Sequence, residues 1–347
     1  MFNLNKIIRP NILSLKAYSS ARDEYKGSSG VFLDANENPF GTLNRYPDPY
    51  QQELKKKLSS HKSIDSNNIF IGNGSDEVID LSFRIFCEPG IDKVLTFSPS
   101  YGMYEVSANI NNVEIVKVPL NDDFQINLTE TEQYFNDPNI KIIFICSPNN
   151  PTGNIIDEDS ITYILKNFNG LVFIDEAYID FSPTESWASK IEFYPNLIVS
   201  QTFSKAWGLA AARVGIAYAN AKILAYYNNV KPPYNVSKLN QQAAINALEN
   251  SEQYEQNKQL LLEQKKFLVS ELSNIDSINK IYPSDANFIL IEVDDADKIY
   301  QELIGKKVIV RNRNKLVKNC IRISIGTAEE NSKFLTELKQ VLKKLTL

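Results

Sequence analysis

The sequence predicts an α/β fold, a large and mostly parallel sheet flanked by helices, followed by a smaller α+β unit. Two observations carry this prediction. Between about residue 69 and residue 219, short apolar runs alternate with helix-like segments, and near Lys231-Pro232-Pro233-Tyr234-Asn235 the composition shifts to a long polar, helix-rich stretch. The apolar runs are Ile69-Phe-Ile, Lys93-Val-Leu-Thr-Phe, Val113-Glu-Ile-Val-Lys-Val, Lys141-Ile-Ile-Phe-Ile-Cys, Leu171-Val-Phe-Ile, Asn196-Leu-Ile-Val-Ser and Val214-Gly-Ile-Ala-Tyr-Ala. Such runs suit strands of a sheet covered by helices on both faces. Ser75 to Phe86 reads as a helix, with Ser75 as its capping residue, acids in its first turn and Glu88-Pro89-Gly90 to stop it. Beyond the paired prolines, the runs from Ala286, Lys307 and Cys320 and a final amphipathic helix from Ala328 give the smaller unit. The expected division is an amino-terminal arm over 1–30, a large domain over 31–233 and a small domain over 234–347.

Composition narrows the function. A chain of 347 residues, 43% hydrophobic and 23% charged, has material for two sizeable cores. A net charge of −5 offers no general attraction for nucleic acid or an anionic membrane, so a phosphate group has to be held by local residues. Cys87, Cys146 and Cys320 are far apart and form no CxxC, which argues against a disulfide framework and for a reducing cytoplasm. No uncharged apolar stretch approaches membrane-spanning length. His61, the single histidine, lies in a polar stretch and reads as a solvated surface residue, leaving no His-ligated metal site and no Ser-His-Asp hydrolase.

The chemistry gathers where predicted strands end. Gly72-Asn-Gly74-Ser75-Asp76-Glu77 joins a strand to a helix amino terminus, where free N–H groups suit an anion; Glu77 in the sixth position argues against a dinucleotide. Tyr101, in Ser98-Pro-Ser-Tyr-Gly, follows the next strand and can stack on a flat ring. Ser147-Pro-Asn-Asn-Pro-Thr-Gly153 is a rigid turn that presents Asn150. Asp175 closes a buried strand, with Tyr178 three residues on. A carboxylate there can keep a pyridine nitrogen protonated, and a phenol can bond a ring oxygen. Glu176 reads as a satisfied acid without a chemical role. Lys205 sits among small hydroxyl residues in Ser200-Gln-Thr-Phe-Ser-Lys-Ala-Trp-Gly, where a lowered pKa favours a Schiff base, and Thr202, Ser204 and Arg213 can complete a phosphate cradle. An aspartate and then a lysine, each closing a strand, suggest pyridoxal phosphate.

The strings SPNNPTG, IDEAY and TFSKAWGLAAARVG resemble those of fold-type-I pyridoxal-phosphate aminotransferases. LDANENPFG, LNRYPDPYQ, GNGSDEVIDLSFRIFCEPG, SPSYGMYEVSA and IRISIGTAEEN are similar to those of the histidinol-phosphate aminotransferase family within them, over nearly the whole chain. The resemblance implies that Lys205 forms the Schiff base, Asp175 pairs with the pyridine nitrogen, Asn150 and Tyr178 contact the ring oxygen, and Tyr101 stacks on the ring. It implies that Gly74, Ser75, Asp76, Thr202, Ser204 and Arg213 frame the phosphate, and that Tyr46 reaches it from the other subunit of a homodimer. Arg322 matches an arginine that binds the carboxylate of glutamate or the phosphate of the alternative substrate, Arg311 matches a second one that favours phosphate, Tyr18 matches a tyrosine near that phosphate, and Asn36 lies in a segment at the site entrance. Arg313 reads as solvated. The implied reaction is transamination of histidinol phosphate with 2-oxoglutarate, yielding imidazole acetol phosphate and glutamate in histidine biosynthesis; threonine-phosphate decarboxylases and aromatic aminotransferases share the scaffold. Ala17 stands where the family often has proline, and Ala211-Ala212 replace the usual Gly-Leu before the phosphate arginine.

Overall fold

The computed structural model describes residues 2–16 and 30–346. All seven apolar runs between residues 69 and 219 form strands: β1 (Ile69–Gly72), β2 (Lys93–Ser98), β3 (Glu114–Pro119), β4 (Ile140–Cys146), β5 (Leu171–Asp175), β6 (Leu197–Thr202) and β7 (Gly215–Ala219). They form one sheet in the order β1-β7-β6-β5-β4-β2-β3, in which β3, β2, β4, β5 and β6 pair in parallel and β7 is antiparallel to both of its neighbours. The continuous apolar character of the runs has a direct cause in the packing. In β5, Val172 and Ile174 enter the core on one face of the sheet while Leu171 and Phe173 enter the core on the other. The helix Ser75–Phe86 covers the second face with Val78, Ile79, Phe83 and Phe86, and the chain leaves it just before Pro89.

One local expectation is corrected. The helix cap is Gly74, at φ +81°, and no side chain caps this end; Ser75 is the first helical residue. A Cβ on Gly74 would lie 2.6 Å from Arg213 Nη2, and a Cβ on Gly215 would lie 2.2 Å from the Ser75 amide nitrogen. The two glycines let the helix start, β7 and the Arg213 side chain share one crowded corner. Arg213 itself adopts φ +51°.

The small sheet has the order β10-β11-β9-β8, antiparallel throughout, from β8 (Ile278–Ile281), β9 (Phe288–Val293), β10 (Arg311–Asn312) and β11 (Cys320–Ser324). β8 had no clear sequence signal, because its polar Asn279 and Lys280 interrupt a very short run. The run from Lys307 enters the ladder only at Arg311 and Asn312, with Val308 and Val310 half-buried beside the small core. That core joins the sheet to the end of the helix Ser251–Leu272 and to the helices Ala296–Gly305 and Ala328–Thr346, through Leu268, Leu272, Ile299, Leu303, Phe334 and Leu338.

The expected boundary at residue 233 cuts across a packed region. Val236, and Ala244, Ile245 and Leu248 of the helix Lys238–Glu249, belong to the core of the large sheet. We therefore propose that the division falls near Asn250, where that helix gives way to Ser251–Leu272. At the other end of the chain, Ile8 and Ile12 are buried in the large unit and the Arg9 amide donates to the Ile85 carbonyl at 3.0 Å, so the start of the expected arm lies on the helix Ser75–Phe86. No helix of the described residues is long and apolar enough to cross a membrane.

Candidate active site

Because β2, β4, β5 and β6 run in parallel, their carboxyl ends meet at one edge of the sheet, and β1 delivers its helix start to the same edge. Open α/β sheets bind ligands there. The edge holds Tyr101, Asn150, Asp175, Tyr178 and Lys205, and the small unit closes over it with Arg322 of β11.

Asp175 ends β5 and is 2% exposed. One carboxylate oxygen accepts from the Tyr104 hydroxyl at 3.0 Å and the other from the Ala177 amide at 3.2 Å. Burial nevertheless pushes its pKa up to about 6, against the lowering effect of those two bonds. A buried acid in this state lacks a cationic partner, and a protonated ring nitrogen would supply one. Tyr104 is the functional neighbour that sequence reading missed. It is fully buried three residues after Tyr101, at a spacing that reads as ordinary helix packing.

Asn150 is buried between two groups of opposite role. Its side-chain amide donates to the Tyr178 hydroxyl at 3.3 Å, and its Oδ1 accepts from Arg322 Nη1 at 2.5 Å. The Tyr178 ring stands edge-on to Phe288 of β9 at 5.1 Å, and Arg322 lies over the same Phe288 ring at 5.0 Å. Lys205 stands at the open side of the cleft with its Nζ 5.6 Å from the Tyr178 ring centre. Surrounding protein and then the Arg322 charge lower its proton affinity, while Asp175 and Asp76 oppose them. A cavity of about 610 Å³ opens beside Lys205, between Trp207, Tyr254 and the Gly326–Thr327 turn.

Residues expected to form a phosphate cradle gather around the start of the helix Ser75–Phe86. Arg213 reaches Asp76 Oδ2 at 3.3 Å and Ser204 Oγ at 3.4 Å, and the Tyr101 hydroxyl donates to Asp76 Oδ1 at 3.2 Å. The Thr202 hydroxyl faces the backbone, accepting from the Ser204 amide at 3.1 Å and donating to the Val214 carbonyl at 3.4 Å, so it shapes the loop that carries Ser204 and Lys205. Glu77 turns away from the anion side. It accepts from the Asn73 amide and from Asn235 Nδ2, which removes the charge conflict seen in the sequence. Glu176 is buried and held by Ser186, the Trp187 amide and Gln201, as expected of a satisfied acid.

Tyr46 and Asn36 stand elsewhere. They line a separate cavity of about 440 Å³, where the half-exposed Tyr46 stacks on Tyr234 at 4.3 Å and its amide donates to Glu37. Tyr18 lies outside the described residues. Arg311 and Arg322 are direct partners across β10 and β11. Arg313 departs from its expected solvated state, because its Nε is buried without a hydrogen-bond partner.

Pyridoxal phosphate fits this donor set: an under-compensated buried acid for a ring nitrogen, Asn150 and Tyr178 for a ring oxygen, and a glycine-bounded basic corner at a helix amino terminus for a phosphate. The family model for aminotransferase class I and II matches residues 16–338. This chain belongs to the class I and II aminotransferases. Among curated aminotransferases, the histidinol-phosphate aminotransferase of Flavobacterium psychrophilum is 53% identical over 343 residues, covering 97% of this chain and 99% of that protein. The crystal structure of the histidinol-phosphate aminotransferase from Clostridium acetobutylicum superposes with a TM-score of 0.80 at 26% identity, covering 87% of this chain and 92% of that one. The Sinorhizobium meliloti histidinol-phosphate aminotransferase, solved in complex with pyridoxal-5'-phosphate, shares the aminotransferase fold with a TM-score of 0.80 at 23% identity, covering 90% of each chain.

Proposed function

We propose that this aminotransferase uses pyridoxal phosphate to transfer the amino group of histidinol phosphate to 2-oxoglutarate, a step of histidine biosynthesis, as a cytoplasmic homodimer. The observation that carries the reading is the convergence of Lys205, Asp175 and the Arg311–Arg322 pair on one cleft, beside full-length relatives that bear that activity in their names. When bound, pyridoxal phosphate supplies a ring that accepts the electron pair left as the substrate Cα–H bond breaks.

Each residue then has a task set by its surroundings. Lys205, whose proton affinity is lowered by surrounding protein and by Arg322, would anchor the cofactor and, once free, would take the Cα proton of the substrate. Asp175 holds the ring nitrogen in its protonated form. Asn150 and Tyr178 orient the ring through its oxygen, and Tyr101 covers one ring face. Gly74, Ser75, Asp76, Ser204 and Arg213 hold the phosphate, with Thr202 bracing the loop, while Tyr46 of one subunit reaches the phosphate held by the other. Arg322 and Arg311 bind the anionic end of either substrate, the phosphate of histidinol phosphate or a carboxylate of glutamate, and Tyr18 adds a hydroxyl near that phosphate.

A substrate panel of histidinol phosphate, phenylalanine and threonine phosphate tests the reading, with glutamate and carbon dioxide as the products measured. Glutamate release with histidinol phosphate and 2-oxoglutarate is expected to dominate, and Lys205→Ala is expected to reduce it to background and to remove the visible absorption band that forms with pyridoxal phosphate. Release of carbon dioxide from threonine phosphate as the main reaction, or an active alanine variant, would overturn it.

A further inference from the structure

The β10–β11 hairpin sorts its charges by face. Arg311 and Arg313 are two residues apart in an extended segment, so both project to the side of the sheet that carries Arg322, the cross-strand partner of Arg311. The Arg313 amide extends the ladder by donating to the Cys320 carbonyl at 2.9 Å. The alternate residues Asn312 and Asn314 project to the other side, where their side-chain amides bind the two oxygens of Asp297 at 2.6 and 2.8 Å. The hairpin's nearby carboxylate is therefore engaged away from the arginines. Among the described residues, none of the three guanidiniums forms an ion pair, and the Nε atoms of both Arg313 and Arg322 are buried without a hydrogen-bond partner.

Like charges placed directly opposite across two strands repel one another, and a third cation on the same face adds to the cost. Burial and the other two arginines push the Arg313 pKa down to about 10, which shows that its charge is felt within the cluster, and the Tyr178 hydroxyl senses both Arg313 and Arg322. A binding anion offsets that repulsion. A carboxylate presents two oxygens, which a pair of guanidiniums can satisfy, whereas a phosphate monoester presents three terminal oxygens and up to two charges.

We infer that Arg313 is a specificity-determining residue that engages the third phosphate oxygen and so favours the phosphate-bearing substrate over the carboxylate-bearing one at the same site. This deepens the proposed reaction and rests on it. In the holoenzyme, Arg313→Gln is expected to raise KM for histidinol phosphate about tenfold or more, the loss of one charge-assisted hydrogen bond, while changing KM for glutamate by less than about twofold and leaving kcat nearly unaltered. Arg313→Lys, which restores charge without the planar fork, is expected to recover part of the loss. Inorganic phosphate provides a probe independent of the phosphorylated substrate: its inhibition constant against the glutamate half-reaction is expected to rise in Arg313→Gln by a similar factor. Equal changes in KM for both substrates, a fall in kcat alone, or an unchanged phosphate inhibition constant would overturn the role of Arg313. Failure of the unsubstituted enzyme to turn over histidinol phosphate would instead overturn the proposed reaction and leave the inorganic-phosphate measurement to decide on Arg313.

Discussion

Asp175 and Arg322 face the same cleft with opposite charges, and the two ends of that cleft are built differently. Asp175 ends a central strand, is almost wholly buried and is fixed by a hydroxyl and a backbone amide, so its ionisation carries a desolvation cost that the protein alone does not cover. Arg311 and Arg313 stand on the two-residue edge strand and the loop after it, with Arg322 beside them on β11, all partly open to solvent, and their cost is burial together with mutual repulsion. Each end is incomplete until a ligand brings the opposite charge, a ring cation at one and an anion at the other. The buried end commits the site to one kind of partner, while the edge can be retuned by single side chains.

Replacing the acid tests the buried end most severely. Asp175→Asn is expected to lower kcat by about 10²–10³-fold, the usual scale for removing one preorganised charge from a transition state. The same substitution is expected to stabilise the cofactor-free protein at neutral pH, because it removes a costly buried charge. The sign follows from the raised pKa. Between the ordinary aspartate range and about pH 6, the folded protein keeps a proton that the unfolded chain has released, so the stability of the cofactor-free form falls as pH rises through that window. The contribution of this group is about 3 kcal/mol. Denaturant unfolding of the cofactor-free protein at pH 4.5 and 7.5, with and without the substitution, measures it, and a destabilised Asp175→Asn at pH 7.5 would remove the contrast between the two ends of the cleft.

At the edge, Arg322→Ala is expected to raise KM for glutamate and histidinol phosphate alike by about 10–100-fold, since it removes a charged hydrogen-bond donor used by both. Steady-state kinetics with each substrate checks this, and an effect confined to one substrate would show that the two anions do not share the arginine. The smallest effect is expected for Tyr104→Phe, which removes one hydrogen bond to Asp175. That bond lowers the Asp175 pKa, so its loss is expected to raise the acidic limb of the kcat–pH profile and to cost about 1 kcal/mol in transition-state stabilisation. An unshifted limb would place the Tyr104 hydroxyl outside the acid's electrostatics.

Much of the large unit was legible because its signals are local. A strand covered on both faces favours a near-continuous apolar run, as in Ile142–Cys146 of β4, Leu171–Ile174 of β5 and Leu197–Val199 of β6. Asp175 was legible for a related reason, since it is a polar residue at the abrupt end of such a run, and Asn150 and Lys205 follow their strands by four and three residues in distinctive turn sequences. The helix Lys238–Glu249 packs Ala244, Ile245 and Leu248 into the large-sheet core although it follows the expected boundary, because paired prolines mark a turn in the chain and say nothing about which hydrophobic face the next helix will cover. Tyr104 was overlooked for a similar reason, as a tyrosine at helical spacing looks the same whether its hydroxyl meets water or a buried acid.

Residue type and order by themselves determined the strands of the large sheet and the chemical inventory: an acid, an amine, an amide, phenols and guanidiniums spaced along the chain. Tertiary structure alone decided which of these meet, because proximity between residues such as Asn150 and Arg322, far apart in sequence, depends on how the small sheet packs over the large one. It also decided charge state, as the pKa of Asp175 is raised by the depth of its surroundings and by neighbours drawn from other elements. The sorting of arginines to one face of the β10–β11 hairpin and asparagines to the other has the same origin, since alternation is written in the sequence but acquires a direction only when one face is turned to the cleft.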